Sequence, residues 1–260
     1  MMRAMQQPPS FLDALGHGMA DKRIDILRQI GQGGSISQAA RAVGVSYKAA
    51  WQALDTLTNL AGVALVERVV GGRGGGGARL TAAGEQLLNA ADAVHQARSS
   101  ALARLDAGGD AGLAVARLSV RTSMRNQWPC IVQAMQASGP IVRAQLRGAG
   151  AAAAELTVFS RITRESAELL GLRPGMPVQA LCKATAVRVQ PLARAAQHGN
   201  QWPGRATRVS RGELGDEVAA QLDAGVQMVG FAAADAHLRA RSRVLLAADE
   251  SAIVLAVVGA

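Results

Sequence analysis

Residues 35–57 read SISQAARAVGVSYKAAWQALDTL, and the fold of the N-terminal part turns on how that run divides. Ser35 opens a short helix, Ile36 to Val43, with Ala39 and Ala40 on the same side as Ile36 and Val43. Gly44 breaks it, and Ser46 caps a further helix to about Leu60 with Trp51, Leu54 and Leu57 along one face. Upstream, Asp21 caps a helix to Gln32 carrying Ile24, Leu27 and Ile30, closed by Gly31, Gly33 and Gly34. Two short helices joined at a tight glycine turn, with alanines where they cross and Val45 between them, form a helix-turn-helix. The N-terminal end of its second helix presents Ser46, Tyr47, Lys48 and Gln52 to a major groove. The same run also fits an ordinary helical hairpin.

The residues beyond this helix pair favour DNA. ALVERVV is a short strand, GGRGGGG a turn and ARL a second strand before Thr81 caps a helix: a β-hairpin wing. Arg68, Arg73 and Arg79 are placed there to meet phosphates, which fix register without reading sequence. Gly72, Gly74 and Gly77 also spell GxGxxG, but the next helix runs on to Asp92 and no acid stands at the tip of a second parallel strand, so a dinucleotide site is rejected. A P-loop fails because Ala78 and Arg79 stand where Lys and Ser/Thr are required. From Thr81 to about Leu105 a long helix carries Leu87, Ala91, Val94, Ala101 and Leu105 as an apolar seam, read as a dimer contact, with an interdomain helix in a monomer as the alternative.

Of the 260 residues 49% are hydrophobic and 18% charged, which excludes disorder as the main state. The net charge of +9 is spread over both halves, and by itself fits DNA, a small anion or plain solubility. Cys130, Cys182 and four isolated histidines have no ligand spacing, so neither a metal site nor a disulfide framework is expected. With no signal-peptide pattern and no long apolar run, the expectation is a soluble, cytoplasmic protein; separately, no catalytic residue is implied, so an enzyme is not expected. The expected organisation is an α+β multidomain chain: a tail at 1–20, a winged domain with its dimerisation helix at 21–107, a linker at 108–116, and two β modules at 117–189 and 190–260.

Strand-like runs in the C-terminal half are Leu118–Arg121, Ile141–Leu146, Glu155–Phe159, Val178–Leu181 and Ala186–Val189, with one short helix, Ser166 to Leu170. The half also repeats itself. NQWP occurs at Asn126–Pro129 and again, 74 residues on, at Asn200–Pro203, while VQALCKATAV from Val178 resembles VLLAADESAIV from Val244. The copies differ in charge: Ser123 and Arg125 match Gln197 and Gly199, and Lys183 matches Asp249. A hydroxyl, a guanidinium and an ammonium suit a tetrahedral dianion, so any anion site belongs to the first copy. Arg125 and Lys183 as ordinary surface charges remain the alternative.

With GGRGGGGARLT, then TSMRNQW, then LCKA, the chain resembles over about 21–260 the ModE family of molybdate-dependent transcriptional regulators, which pair a LysR-like winged helix with tandem OB-like β-barrel Mop/TOBE domains. The resemblance implies a homodimer that binds an operator in double-stranded DNA and represses molybdate uptake genes. Its effector is molybdate (or tungstate), held as the oxyanion and not as a bare metal. The implied ligands are Ser123, Arg125, Lys183 and the Ala184 amide of one protomer with Thr163 and Ser166 of the other, Ser166 opening the short helix. Cys182 departs from the family's LLKA pattern and leaves a thiol beside the anion. The competing readings are a molybdate storage or homeostasis protein and a regulator of this architecture sensing another oxyanion.

Overall fold

The structure is a computed structural model, and it describes residues 21–69, 77–105, 122–150, 153–192 and 199–257, without the side chains of 68, 69, 98, 99 and 101–105. It divides into two compact units, the N-terminal residues together with Arg164–Leu172, and Val120–Thr163 with Arg173–Val258.

The N-terminal unit holds α1 (Lys22–Gly33), α2 (Ile36–Val43), α3 (Tyr47–Ala61), the hairpin β1 (Val66–Val69) and β2 (Gly77–Leu80), α4 (Ala82–Leu105) and the short α5 (Arg164–Leu169). The caps expected from sequence are made. Asp21 accepts from the Arg23 amide, Ser35 from Gln38 and Ser46 from Ala49, while Gly44 takes φ +70 at the turn between α2 and α3. Ile26, Leu27 and Ile30 of α1 pack on Ala39 and Ala40 of α2 and on Leu54 and Leu57 of α3, with Val45 partly buried against them. The alanines let the helix axes approach closely. In the wing Val66 pairs with Leu80 and Val69 with Gly77; its tip, including Arg73, lies outside the described residues. Along the expected seam of α4, Leu87 packs on this core whereas Val94 is exposed; the side chains of Ala101 and Leu105 lie outside the described ones.

The second unit contains two five-stranded sheets of one topology. In the first the order is β12-β6-β3-β4-β5, from β3 (Asn126–Ser138), β4 (Ile141–Gly148), β5 (Thr157–Thr163), β6 (Pro177–Cys182) and β12 (Val254–Ala256). The other is a closed barrel, β10-β7-β11-β8-β9, from β7 (Arg188–Pro191), β8 (Asn200–Ser210), β9 (Asp216–Leu222), β10 (Gln227–Ala232) and β11 (Arg243–Ala248). The bulge between Val132 and Ala134 on β3 recurs between Ala206 and Arg208 on β8, at the spacing of the NQWP motifs. The sheets exchange last strands: β7 comes after β6 in sequence yet pairs with β11, and β12 comes after β11 yet pairs with β6. The expected boundary at 189/190 therefore falls inside β7.

NQWP is the joint of this exchange. Asn126 is buried, donates to the Val229 carbonyl and accepts from the Val229 amide, both at 2.8 Å. Asn200 does the same with Phe159 on β5, at 2.7 Å each way. The indoles of Trp128 and Trp202 donate to Gln227 and Thr157 of the opposite sheet, and their rings meet at 5.9 Å. Where the crossing chain passes β10, a Cβ on Gly230 would lie 2.7 Å from the Val187 carbonyl, so the position requires glycine.

Three expectations shift. Strand β3, the longest, is absent from the runs expected on sequence, because Pro129 argues against a strand and one inward position is the polar Asn126, tolerable only with its distant partner. The expected strand Ala186–Val189 is a 3-10 turn, Ala184–Ala186, and then β7. The short helix begins at Arg164, so Ser166 lies inside it and does not open it. Leu118–Arg121 lies outside the described residues.

Truncating the Asn200 clamp leaves a backbone amide and a carbonyl of β5 without partners. Asn200→Ala is expected to lower stability by about 2–4 kcal/mol, from the cost of stranding two buried polar groups. Urea unfolding monitored by tryptophan fluorescence measures it.

Candidate functional site

The register of the first sheet brings two of the candidate anion ligands, Arg125 and Lys183, to the same end of one strand pair. Asn126 on β3 pairs with Cys182 on β6 as the last pair of that antiparallel ladder, and Arg125 and Lys183 are the residues that flank it. Lys183 stands at the head of the 3-10 turn that starts at the buried Ala184. Hydrogen bonds from the Met124 amide to Thr122 and from the Gln127 side chain to the Met124 carbonyl tie down the approach to β3. Ser123 is exposed on this approach, as is Lys183, whose ammonium pairs with no carboxylate among the described residues. Arg125 does have a partner: its guanidinium donates to Glu217 on β9 at 2.5 Å. Thr163 ends β5 and Ser166 sits within α5, which clusters with the N-terminal unit.

The matching locus in the other sheet inverts these charges. Asn200 pairs with Ala248 as the last pair of that ladder, flanked by Gly199 and Asp249. Asp249 caps its 3-10 turn by accepting from the Ser251 side chain and amide, and those bonds, ahead of Arg161, hold its carboxyl below the usual range. The next residue, Glu250, grips Arg143 through both its oxygens at 2.7–3.0 Å, and Arg143 also lies 3.9 Å over the Phe159 ring. Arg161, beside Arg143 in register, pairs with Asp249 at 3.3 Å. Two arginines are thus neutralised by two carboxylates from the chain itself. Arg188 adds a further positive charge near Asp249. The repeat spacing that relates the NQWP motifs also relates Arg143 to Glu217, a correspondence the sequence contains and sequence reasoning passed over.

On the helix-turn-helix, Tyr47, Lys48 and Gln52 are exposed at the start of α3, Tyr47 edge-on to Trp51. The Ser46 hydroxyl serves as the helix cap, and its backbone amide donates to Glu168 at 2.8 Å. Lys48 pairs with Glu165 at 2.7 Å. Both acids come from α5, and neither figured among the candidate residues read from sequence. Arg79 on the wing pairs with Glu67 at 2.6 Å, and Arg68 stands opposite Ala78 with its side chain outside the described ones. The groove between α2, α3 and the wing is lined by Ser35, Ser37, Trp51 and Asp55 with no basic residue, so it does not suit a small anion. Among the described residues no cluster of His, Cys, Asp or Glu is arranged to hold a metal, and no helix is long and apolar enough to cross a membrane.

Two family models match. Residues 22–85 match the bacterial regulatory helix-turn-helix protein, lysR family, and residues 122–189 match the TOBE domain. The chain is 36% identical to "Molybdenum transport protein ModE" of Azotobacter vinelandii over 85% of its own length and 84% of that protein. It is 35% identical to "DNA-binding transcriptional dual regulator ModE" of Escherichia coli K12 over 78% of this chain and 79% of that one. With "Molybdenum-pterin-binding protein MopB" of Rhodobacter capsulatus it shares 39% identity over 68% of this chain and 64% of that protein.

The thiol beside the candidate anion site is packing. Cys182 is fully buried, with Sγ 3.5 Å from the Lys183 carbonyl, and burial pushes its pKa up to about 11; burial pushes Cys130 up to about 12. At about pH 7 both are therefore neutral thiols. Iodoacetamide is expected to leave them unmodified in the native chain and to label both in urea, read by mass spectrometry.

Proposed function

Because the chain belongs to the ModE family of transcriptional regulators, we propose that it binds operator DNA through the winged helix-turn-helix in response to molybdate or tungstate, repressing molybdate uptake genes. Two copies dimerise through α4. Each oxyanion is held by Ser123, Arg125, Lys183 and the Ala184 amide of one copy, with Thr163 and Ser166 supplied by the other. The single observation carrying this reading is the contrast between the two loci. At the first, Arg125 and Lys183 flank the last strand pair, whereas at the second Gly199 and Asp249 flank it and Arg143 and Arg161 are paired with the chain's own acids.

The ligand chemistry is electrostatic. Guanidinium, ammonium, hydroxyl and amide donors replace the hydration shell of a tetrahedral dianion with charge-assisted hydrogen bonds, and no bond is made or broken. Binding shifts the DNA-competent population only by the oxyanion's differential affinity for the two states, typically about 1–3 kcal/mol. The Tyr47, Lys48 and Gln52 side chains supply groove contacts, and basic wing residues supply phosphate contacts.

Calorimetric titration of the full chain with molybdate, tungstate and sulfate tests the sensor. Molybdate and tungstate are expected to bind tightly, Arg125→Ala to abolish that binding, and Arg205→Ala, whose guanidinium is occupied with the Arg241 carbonyl, to preserve it. Absent or equal heats for all three anions sink the assignment. Gel shift on the gene's own upstream promoters, with and without molybdate, tests the output; no specific band in either condition leaves a binding protein without a regulatory role.

A further inference from the structure

Glu217 does not simply accompany Arg125. Its two carboxylate oxygens face different arginines, Oε2 at 2.5 Å from Arg125 and Oε1 at 3.3 Å from Arg208. It is only a quarter exposed, while Arg125 is about half exposed and Arg208 more so. It projects from β9 beside Phe231 on β10, the strand clamped by Asn126, so it is fixed at the mouth of the anion locus by the same joint that fixes Arg125. We propose that Glu217 is the resident counter-anion of the oxyanion site, shared between Arg125 and Arg208 when no ligand is present and left to Arg208 when an oxyanion takes Arg125. The proposal rests on the assignment of Arg125 as a ligand.

Two considerations carry it. A dianion on Arg125 and a carboxylate already touching Arg125 are like charges within a few ångströms, and they repel one another at the partly exposed surface where Arg125 lies. One must yield. The other locus shows the alternative outcome, because there Glu250 holds Arg143 with three hydrogen bonds while Glu217 holds Arg125 with one and has Arg208 to retreat to. Glu217 thereby sets the threshold concentration at which the sensor fills, and discriminates against anions too weakly held to displace it.

A double-mutant cycle on the full chain, read by molybdate titration, tests this. Glu217→Gln is expected to tighten binding by about 3- to 10-fold, a partly exposed ion pair plus a removed like charge. Arg208→Ala is expected to weaken binding in the wild-type background, because Glu217 is then left to Arg125 alone, and to have no effect in the Glu217→Gln background. Unchanged or weaker binding in Glu217→Gln, or an equal loss from Arg208→Ala in both backgrounds, overturns the proposal. If wild type binds no molybdate, the ligand assignment itself has failed.

A second and independent observation lies in the N-terminal unit. The acids of α5 occupy the start of α3: Glu168 accepts from the Ser46 amide, Glu165 accepts from Lys48, and the Lys22 ammonium donates to the Glu168 carbonyl at 2.9 Å. A backbone amide at a helix N-terminus and a lysine beside it are what a DNA phosphate engages. We infer that α5 is an internal substitute for operator phosphate, which DNA must displace. Ser166 lies between the two acids on that helix, so under the proposed function ligand and DNA draw on one element. Fluorescence anisotropy with a duplex from the gene's own promoter, without molybdate, tests it. The Glu165→Gln/Glu168→Gln variant is expected to bind at least about 10-fold tighter than wild type, and a charge-matched Glu155→Gln/Glu213→Gln variant only slightly tighter. Equal affinities of the two variants overturn the inference. If wild type with molybdate binds promoter and unrelated duplex alike, the regulatory reading has failed instead.

Discussion

The C-terminal unit depends on one side-chain interaction made twice. An asparagine carboxamide offers one acceptor and two donors in a plane, and can therefore complete both the amide and the carbonyl of a single backbone position. Asn126 does this for Val229 and Asn200 for Phe159, each reaching from its own sheet into the other. Both side chains are buried, so the bonds cannot be exchanged for water without exposing the joint. Because each clamp closes on the opposite repeat, the strand exchange of β7 and β12 and the tilted ring contact of Trp128 with Trp202 are parts of one arrangement.

The clamps also explain why the charged groups lie where they do. Arg125 and Gly199 immediately precede the clamping asparagines, and Lys183 and Asp249 lie one register step beyond their strand partners. A geometry repeated almost without change thus carries two different charge sets. Where the chain provides Asp249 and Glu250 the arginines of β4 and β5 are satisfied internally. At the other locus Arg125 pairs with Glu217, while Lys183 pairs with no carboxylate among the described residues.

The helix-turn-helix was legible because its determinants are local. Serine and aspartate caps, left-handed glycines and three-to-four spacing act within a turn or two of the chain, and the structure reproduces α1 to α4 within a residue or two of the sequence reading. Strand β3 resisted the same treatment. Its inward face is Asn-Trp-Cys-Val with a proline among the outward positions, and no local rule identifies a buried asparagine as satisfied. The motif was recognisable as a repeat, while its role as a joint was not.

Residue order therefore determined the helices of the N-terminal unit, the existence of two β copies and the charge difference between them. Only the tertiary structure decided which copy each last strand joins, what NQWP holds, and that Arg125 and Lys48 already have acidic partners. The reason is separation along the chain. Arg125 meets Glu217 across 92 residues, Asn126 meets Val229 across 103, and the Ser46 amide meets Glu168 across 122. Contacts at such separations are fixed by how sheets and helices pack, which periodicity and spacing do not encode.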